Sequence, residues 1–301
     1  MQSIRQLAII GPTASGKTSL AIKVAQKLNA HILSLDSLAV YKQIDIASAK
    51  PSLKERKSIR HFGIDCIYPH EHFDVTLFIR LYQDAYCICA QEKRPLIIVG
   101  GTGFYLKILS EGISQMPSVS DATKLKTKQY LRNLHLAYAF LYDLDRRFMA
   151  KIEANDRYRI EKALHIYFET SLIPTQYFML HPPKPIITTP LPIYSIHWER
   201  KLLRDRISKR TKEMLKNGLI DEVSNLEKNY SRSLHCMNSI GIKETLAYLD
   251  GIYDRTMLCE KITINTARLA KRQNTFNNSQ FKDVIKGSIK ELERLLLSYP
   301  K

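Results

Sequence analysis

Eight consecutive residues, Gly11-Pro12-Thr13-Ala14-Ser15-Gly16-Lys17-Thr18, have types and spacing with a definite chemical use. They fit G-x-x-x-x-G-K-[ST], a loop whose backbone N–H groups and following helix N-terminus cradle phosphates. Lys17 adds a point charge to the cradle, and the Thr18 hydroxyl suits Mg²⁺. Asp36 follows the apolar run His31-Ile-Leu-Ser-Leu35, and Gly100-Gly101-Thr102 follows Pro95-Leu-Ile-Ile-Val99. A phosphate-loop NTPase ordinarily ends a core strand in an acid that holds metal or positions water. The run to Val99 ends in glycines instead, so Asp36 is the one carboxylate that clearly ends a core strand. Freed from metal, it can accept a proton or a hydrogen bond from a nucleophile. Arg210 suits a departing pyrophosphate, as guanidinium groups do for developing phosphate charge. On these residues alone the phosphate-bearing ligand is open, because kinases, motors and switches share the loop.

Other reactive types point nowhere in particular. His70-Glu71-His72 is too tightly spaced for a helical zinc site and reads as surface loop. Cys66, Cys87, Cys89, Cys236 and Cys259 form no C-x-x-C pair, which suggests neither zinc nor a disulfide framework.

The elements that must position these groups can be read from the apolar runs. Leu7–Ile10, His31–Leu35 and Pro95–Val99 read as buried strands, and Phe62–Tyr68 as an edge strand. Between them, Ser19–Leu28 and Val75–Ala90 carry helical spacing, Ser52–Ile59 a short helix, and a further helix opens at Phe104. Strands alternating with helices predict an α/β fold, a parallel sheet flanked by helices. In such a sheet the ligand crevice lies beyond the carboxyl ends of the strands, so the three polar clusters converge on one edge.

From about Ile113 the character changes. A polar linker, Gln115–Thr123, precedes a mostly helical Lys124–Ser171; His181-Pro-Pro-Lys-Pro is a break, and Pro190–Trp198 reads as a strand returning to the core. Residues 113–191 are therefore expected as a helical insertion between the two parts of the core, 1–112 and 192–301. Beyond Glu199 helices dominate: a basic one ending at Gly218, one opening at Ser239–Glu244, and a long one through Ile262–Phe276. Phe281–Ile285 and Ile289–Leu297 close the chain as strand and helix.

The net charge of +17, with a pI near 9.6, favours a polyanionic partner larger than a metabolite. The insertion interleaves Arg146, Arg147, Lys151, Arg157, Arg159 and Lys162 with tyrosines, which suits single-stranded RNA or a solvated helical face. No apolar run approaches the roughly 20 residues of a membrane span. The first residues run directly into a strand, so no leader is expected and a cytoplasmic protein is. Nothing in the sequence demands an oligomer, and a monomer is expected.

GPTASGKT, DSLAVYKQIDIASAKP, GGTGFY, NDRYRIEKAL, RISKR, SIGIKE and AKRQNTF, in that order, resemble the tRNA dimethylallyltransferases nearly end to end. The resemblance implies a phosphate-loop core with a helical insertion that grips the anticodon arm. It implies Mg²⁺-dependent transfer of a dimethylallyl group from its pyrophosphate to N6 of adenine 37 of tRNA, within A36-A37-A38. Gly11 to Thr18 would then hold the donor pyrophosphate, with Thr18 also toward the metal. Asp36 would be the general base, with Arg210 and Thr102 also at the catalytic centre. Asp36, Ser37, Leu38, Ala39, Thr102, Lys124, Tyr158, Arg159, Lys162, Lys271, Arg272 and Gln273 would meet the tRNA. The departures are few. The usual GTAKP reads Ala47-Ser-Ala-Lys-Pro51, Lys124 and Lys162 replace arginines, Phe276 a tryptophan, and Ala267 a basic residue. The competing readings are a phosphate-loop kinase for a small metabolite and an RNA-binding NTPase without transfer chemistry.

Overall fold

The computed structural model describes residues 4–56 and 59–298. It divides into two compact units, residues 1–107 with 189–301 and residues 108–188.

The first unit is built on one six-stranded, all-parallel sheet. In chain order the strands are β1 (Gln6–Ile10), β2 (His31–Ser34), β3 (His61–Phe62), β4 (Leu96–Gly100), β5 (Ile193–Ile196) and β6 (Val284–Gly287). Across the sheet they stand β3-β2-β4-β1-β5-β6. Every residue of β1 and β4 is buried, which is why both read as unbroken apolar runs. Ile9 pairs with Val99 and Tyr194 on its two sides, so β1 occupies the middle and delivers the phosphate loop to the centre of the edge.

Helices cover both faces. α1 (Lys17–Leu28), α2 (Leu53–Arg56), α3 (Val75–Gln91) and α4 (Gly103–Glu111) come first; the division between the units falls within α4. Gly16, at φ 88°, makes the left-handed turn from the loop into α1, and Asn29, at φ 53°, ends that helix. Leu20, Ala21, Val24, Ala25 and Leu28 face Leu7, Ile9, Ile32 and Ile97 in one apolar core. Asp74 caps α3 by accepting from the Leu77 N–H.

The expected edge strand Phe62–Tyr68 is wrong in extent. Pairing with β2 covers only His61 and Phe62, because Gly63 and Asp65 take left-handed φ values of 75° and 56° that extended pairing does not allow. The chain beyond is tied instead by Asp65, which accepts from Lys50 at 2.7 Å and Arg56 at 3.1 Å. The expected helix Ser52–Ile59 is described only as Leu53–Arg56; Lys57 and Ser58 lie outside the described residues.

The second unit is helical: α5 (Asp121–Tyr130), α6 (Leu134–Leu144), α7 (Arg146–Met149), α8 (Arg157–Thr170) and α9 (Pro174–Leu180). Leu131, Ala137, Leu141, Met149, Ile160 and Leu164 form its own core. The linker read as Gln115–Thr123 ends sooner than expected, since Ser120 caps α5 by accepting from the Thr123 N–H. The helix α9 was not anticipated at all; Pro174 at its start supplies a preset φ and lacks only an N–H that a first turn leaves unpaired.

The chain after β5 adds α10 (Arg200–Lys216), α11 (Leu219–Asn229), α12 (Ile242–Leu249), α13 (Arg255–Gln280) and α14 (Ile289–Leu297) to the first unit. A second core gathers Val40, Ile44, Leu219, Val223, Ile242 and Ile262. Glu222 on α11 pins the loop after β2 by accepting three backbone N–H groups, from Asp45, Ile46 and Ala47, at 2.8, 2.7 and 2.9 Å. Among the described residues no helix is long and apolar enough to cross a membrane.

Candidate active site

The phosphate loop is held from three directions. Trp198 Nε1 donates to the Ser15 oxygen at 2.9 Å and Arg206 Nε donates to the Ala14 oxygen at 2.9 Å, the guanidinium lying 4.6 Å above the Trp198 ring. From α13, Gln273 Oε1 accepts the Thr13 N–H at 2.8 Å. Gly101 makes room for that side chain, since a Cβ there would stand 2.5 Å from Gln273 Nε2. Two loop N–H groups are thus committed within the protein, because Ser15 N also bonds the Pro12 oxygen. The first-turn N–H groups of α1 have no intrahelical acceptors and remain for an anion, with the positive end of the helix dipole behind them.

Two cations stand beside these N–H groups. Lys17 Nζ donates to the Pro12 oxygen at 3.0 Å, and Arg210 Nη1 to Thr13 Oγ1 at 3.2 Å. Desolvation pulls the Lys17 ammonium down to about 8; Asp36 opposes that shift and Arg210 deepens it. Burial also lowers Arg210, again against the pull of Asp36. A pocket that disfavours its own cations in the free state is one that a polyanion completes.

Asp36 is placed by its own turn. Its Oδ1 accepts from the Leu38 N–H at 2.9 Å and the Ala39 N–H at 3.3 Å, while its N–H meets Ser34 Oγ at 3.3 Å. Such an Asx turn fixes one carboxylate oxygen and leaves the other for a ligand.

Three cavities meet at Lys17 and Arg210, which line all of them. One of about 540 Å³ is a basic mouth with Thr18, Lys23, Arg206 and Lys209 in its wall. A second, of about 350 Å³, contains Asp36, Thr102 and Arg272 beside the apolar Ile207, Met214 and Leu269. The smallest, about 80 Å³, lies between Thr18, Ser34 and Asp36. An anion site, an apolar wall and a carboxylate therefore adjoin. That arrangement suits displacement of a phosphate-bearing leaving group from an apolar carbon.

Two family models match the chain, one described as IPP transferase over residues 39–280 and one as isopentenyl transferase over residues 4–66. The first alone spans most of the chain.

The chain belongs to the IPP transferase family. It is 62% identical over 296 residues to a tRNA dimethylallyltransferase of Sulfurovum sp., covering 98% of each chain. To a tRNA dimethylallyltransferase of Sulfurimonas denitrificans it is 52% identical over 293 residues, covering 97% of this chain and 98% of the other. Among solved structures it is similar to the full-length tRNA isopentenylpyrophosphate transferase of Bacillus halodurans, at 27% identity and a TM-score of 0.71, over 98% of this chain and 96% of that one. The resemblance carried by GPTASGKT through AKRQNTF is borne out, as is the α/β fold read from the alternating strands and helices.

In this IPP transferase the expected site residues fall into two groups. Thr13, Lys17, Asp36, Ser37, Leu38, Thr102, Arg210, Arg272 and Gln273 line the 350 Å³ cavity. Ala14, Gly16 and Thr18 face the basic mouth, and Ala39 the smallest cavity. Gly11, Pro12 and Ser15 are the buried members of the loop itself, and Lys271 is exposed on α13 outside the three linings. Lys124, Tyr158, Arg159 and Lys162 belong to the 108–188 unit. There Lys124 pairs with Asp121 at 2.8 Å, Arg159 with Asp156 at 3.2 Å, and Lys162 sits 5.5 Å from the ring of Tyr158, itself 70% exposed.

Lys50 was missed as a site-forming residue. Its side chain is only 3% exposed and donates to the Tyr41 oxygen, to Asp45 at 2.8 Å and to Asp65 at 2.7 Å. An ammonium has three donors, and all are engaged, so this lysine shapes the loop after β2 rather than binding the anion. The signal available in the sequence was the Lys-Pro pair itself, read only as part of a motif.

Proposed function

We propose that the chain transfers a dimethylallyl group from dimethylallyl pyrophosphate to N6 of adenine 37 in tRNA. Transfer of a dimethylallyl group to tRNA accords with the family and with relatives named for that activity. The observation that carries the finer chemistry is the meeting of Asp36 with Lys17 and Arg210 around one cavity, where the strand β4 ends in Gly100 and no acid.

N6 forms a bond to the first carbon of the dimethylallyl group while the bond from that carbon to the pyrophosphate oxygen breaks. The electron pair leaves with the pyrophosphate, into the N–H groups of α1, Lys17 and Arg210. The N6 proton passes to the free oxygen of Asp36, which the Asx turn aims. The apolar Ile207, Met214 and Leu269 exclude water that would otherwise compete for the carbon. Adenine must leave its stack to enter, which the basic surface supports by holding the surrounding phosphates. The exposed Ser37 and Arg272, with Lys271 nearby, are the core residues we assign to tRNA, and Lys124, Tyr158, Arg159 and Lys162 to the anticodon arm.

Mg²⁺ fits this donor set. Among the described residues no cluster of His, Cys, Asp and Glu could hold an ion alone, and Mg²⁺ ordinarily takes few protein oxygens together with substrate phosphates. Thr18 would hold it, and it would supply neutralisation of the departing pyrophosphate. We place the reaction in the cytoplasm and assign it to a monomer.

One assay tests this reading. Protein, Mg²⁺, dimethylallyl pyrophosphate and unmodified tRNA bearing A36-A37-A38 are incubated, and digested nucleosides are weighed. A dimethylallyl mass on A37 is expected; its absence sinks the proposal. In the same assay Asp36→Ala should lose roughly 10²–10⁴-fold in rate with tRNA affinity retained, the span for a lost general base.

A further inference from the structure

One face of α10 meets the active site at helical spacing. Ile207, Arg210 and Met214 all line the 350 Å³ cavity, so the guanidinium assigned to the pyrophosphate has an apolar side chain about one turn away on either side. Displacement at the first carbon of the donor puts the attacking N6 and the departing oxygen on opposite sides of that carbon. The hydrocarbon must then run off sideways from the line between Asp36 and the anion site, along this apolar wall.

What stands behind the wall differs from residue to residue. Ile207 is 1% exposed and packs in a core with Leu203 and Ala270. Ile262, also 1% exposed, belongs to the core of Val40 and Ile44. Met214 is the exception. It borders a fourth cavity as well, of about 780 Å³, whose wall includes Lys42, Asp45 and Asn217. Arg210 and Met214 are the two residues common to both linings. The tip of Met214 reaches from α10 toward the turn before α12 and the loop after β2. A Cβ placed on Gly241 would stand 3.9 Å from Met214 Cε and 3.8 Å from Ala47 Cβ. Trimming Ile207 or Ile262 would leave a hole sealed by packed protein, whereas trimming Met214 would join two open spaces.

We infer that Met214 is the stop that limits the transferred group to five carbons, by obstructing the path that a longer prenyl chain would take into the fourth cavity. Exclusion by an obstructing side chain is how a site rejects a ligand that shares every favourable contact of the accepted one. This role rests on the dimethylallyl transfer proposed above.

The test compares dimethylallyl with geranyl pyrophosphate, which differs by one further five-carbon unit, as donors to tRNA bearing A36-A37-A38. Both react by the same displacement, and the ratio of their kcat/KM values is the readout. The wild-type chain should favour dimethylallyl by about 10²-fold or more. Met214→Ala should shift the ratio toward geranyl by at least about tenfold, even if its dimethylallyl rate falls. Met214→Leu, which conserves volume, should keep the wild-type preference, and Ile207→Ala should move it less than about threefold. Met214→Val is a smaller trim with a shift in the same direction, and it carries the test if the alanine variant does not fold. An unchanged ratio in the folded Met214 variants, an equal shift in Ile207→Ala, or ready use of geranyl by the wild type would overturn the inference. Should the wild-type chain transfer nothing, the transferase reading fails by itself. Titration of the two thiolopyrophosphate analogues, in which sulfur replaces the bridging oxygen, then reads the same preference in wild type and Met214→Ala without turnover, with tRNA present.

Discussion

At the scale of single residues, Lys17 carries a pH dependence. Desolvation holds its ammonium near 8 against an ordinary 10.5. The folded-state value is the lower one, so between these two pH values the unfolded chain binds more protons, and this group's contribution to stability rises with pH across that window. Donor binding runs the other way, because only the protonated form attracts a pyrophosphate. The KM for dimethylallyl pyrophosphate should therefore climb about tenfold from pH 7 to pH 9, as expected for a single group titrating near 8. Steady-state kinetics across that range check it, and in Lys17→Arg, whose charge does not titrate, the climb should vanish. The type and place of Lys17 were legible from the motif. Its lowered proton affinity was not, since that follows first from burial in the folded chain and is only deepened by Arg210, far along the chain.

At the scale of elements, β1, β4 and the loop between β1 and α1 were legible because their residues are buried throughout and periodicity has nothing to contend with. The edge was not. Two left-handed residues, Gly63 and Asp65, cut β3 short, and no β-propensity scale weighs a turn of that kind against the apolar Ile64 between them. The long helix α13 was legible through its basic stretch, but one of its tasks was not. Gln273, read as a tRNA contact, spends its carbonyl on the Thr13 N–H, a partner 260 positions away that no local pattern signals. Removing that clasp frees the loop without emptying the core. Gln273→Ala should raise the donor KM roughly fivefold, near the 1 kcal/mol of a typical hydrogen bond, while tRNA affinity changes little. Isothermal titration with each substrate distinguishes this from a tRNA contact, where the losses would be reversed.

At the scale of the whole molecule, the net charge of +17 was the plainest signal in the sequence and needs no geometry to act. It raises the local concentration of a polyanion and makes the affinity depend on salt. For about five phosphate contacts, the tRNA affinity should fall roughly 10²–10³-fold between 50 and 200 mM salt. Filter binding over that range tests it; a flat response would mean that the charge serves something other than tRNA.

The parallel pairing of β1 with β5 also has a consequence in time. Ala8 lies opposite Ile193, so the central strand lacks one neighbour until the chain has been made past that point. At synthesis rates of about 5–20 residues per second, β1 waits on the order of 10–40 s on the ribosome with one apolar edge uncovered. The helical unit of residues 108–188 has its own core and is complete within that interval. The phosphate loop, which leaves the end of β1, therefore takes its final shape only after the last half of the chain arrives with Trp198, Arg206 and Gln273 to clasp it. A nascent chain thus reaches its full donor affinity only when it is nearly finished.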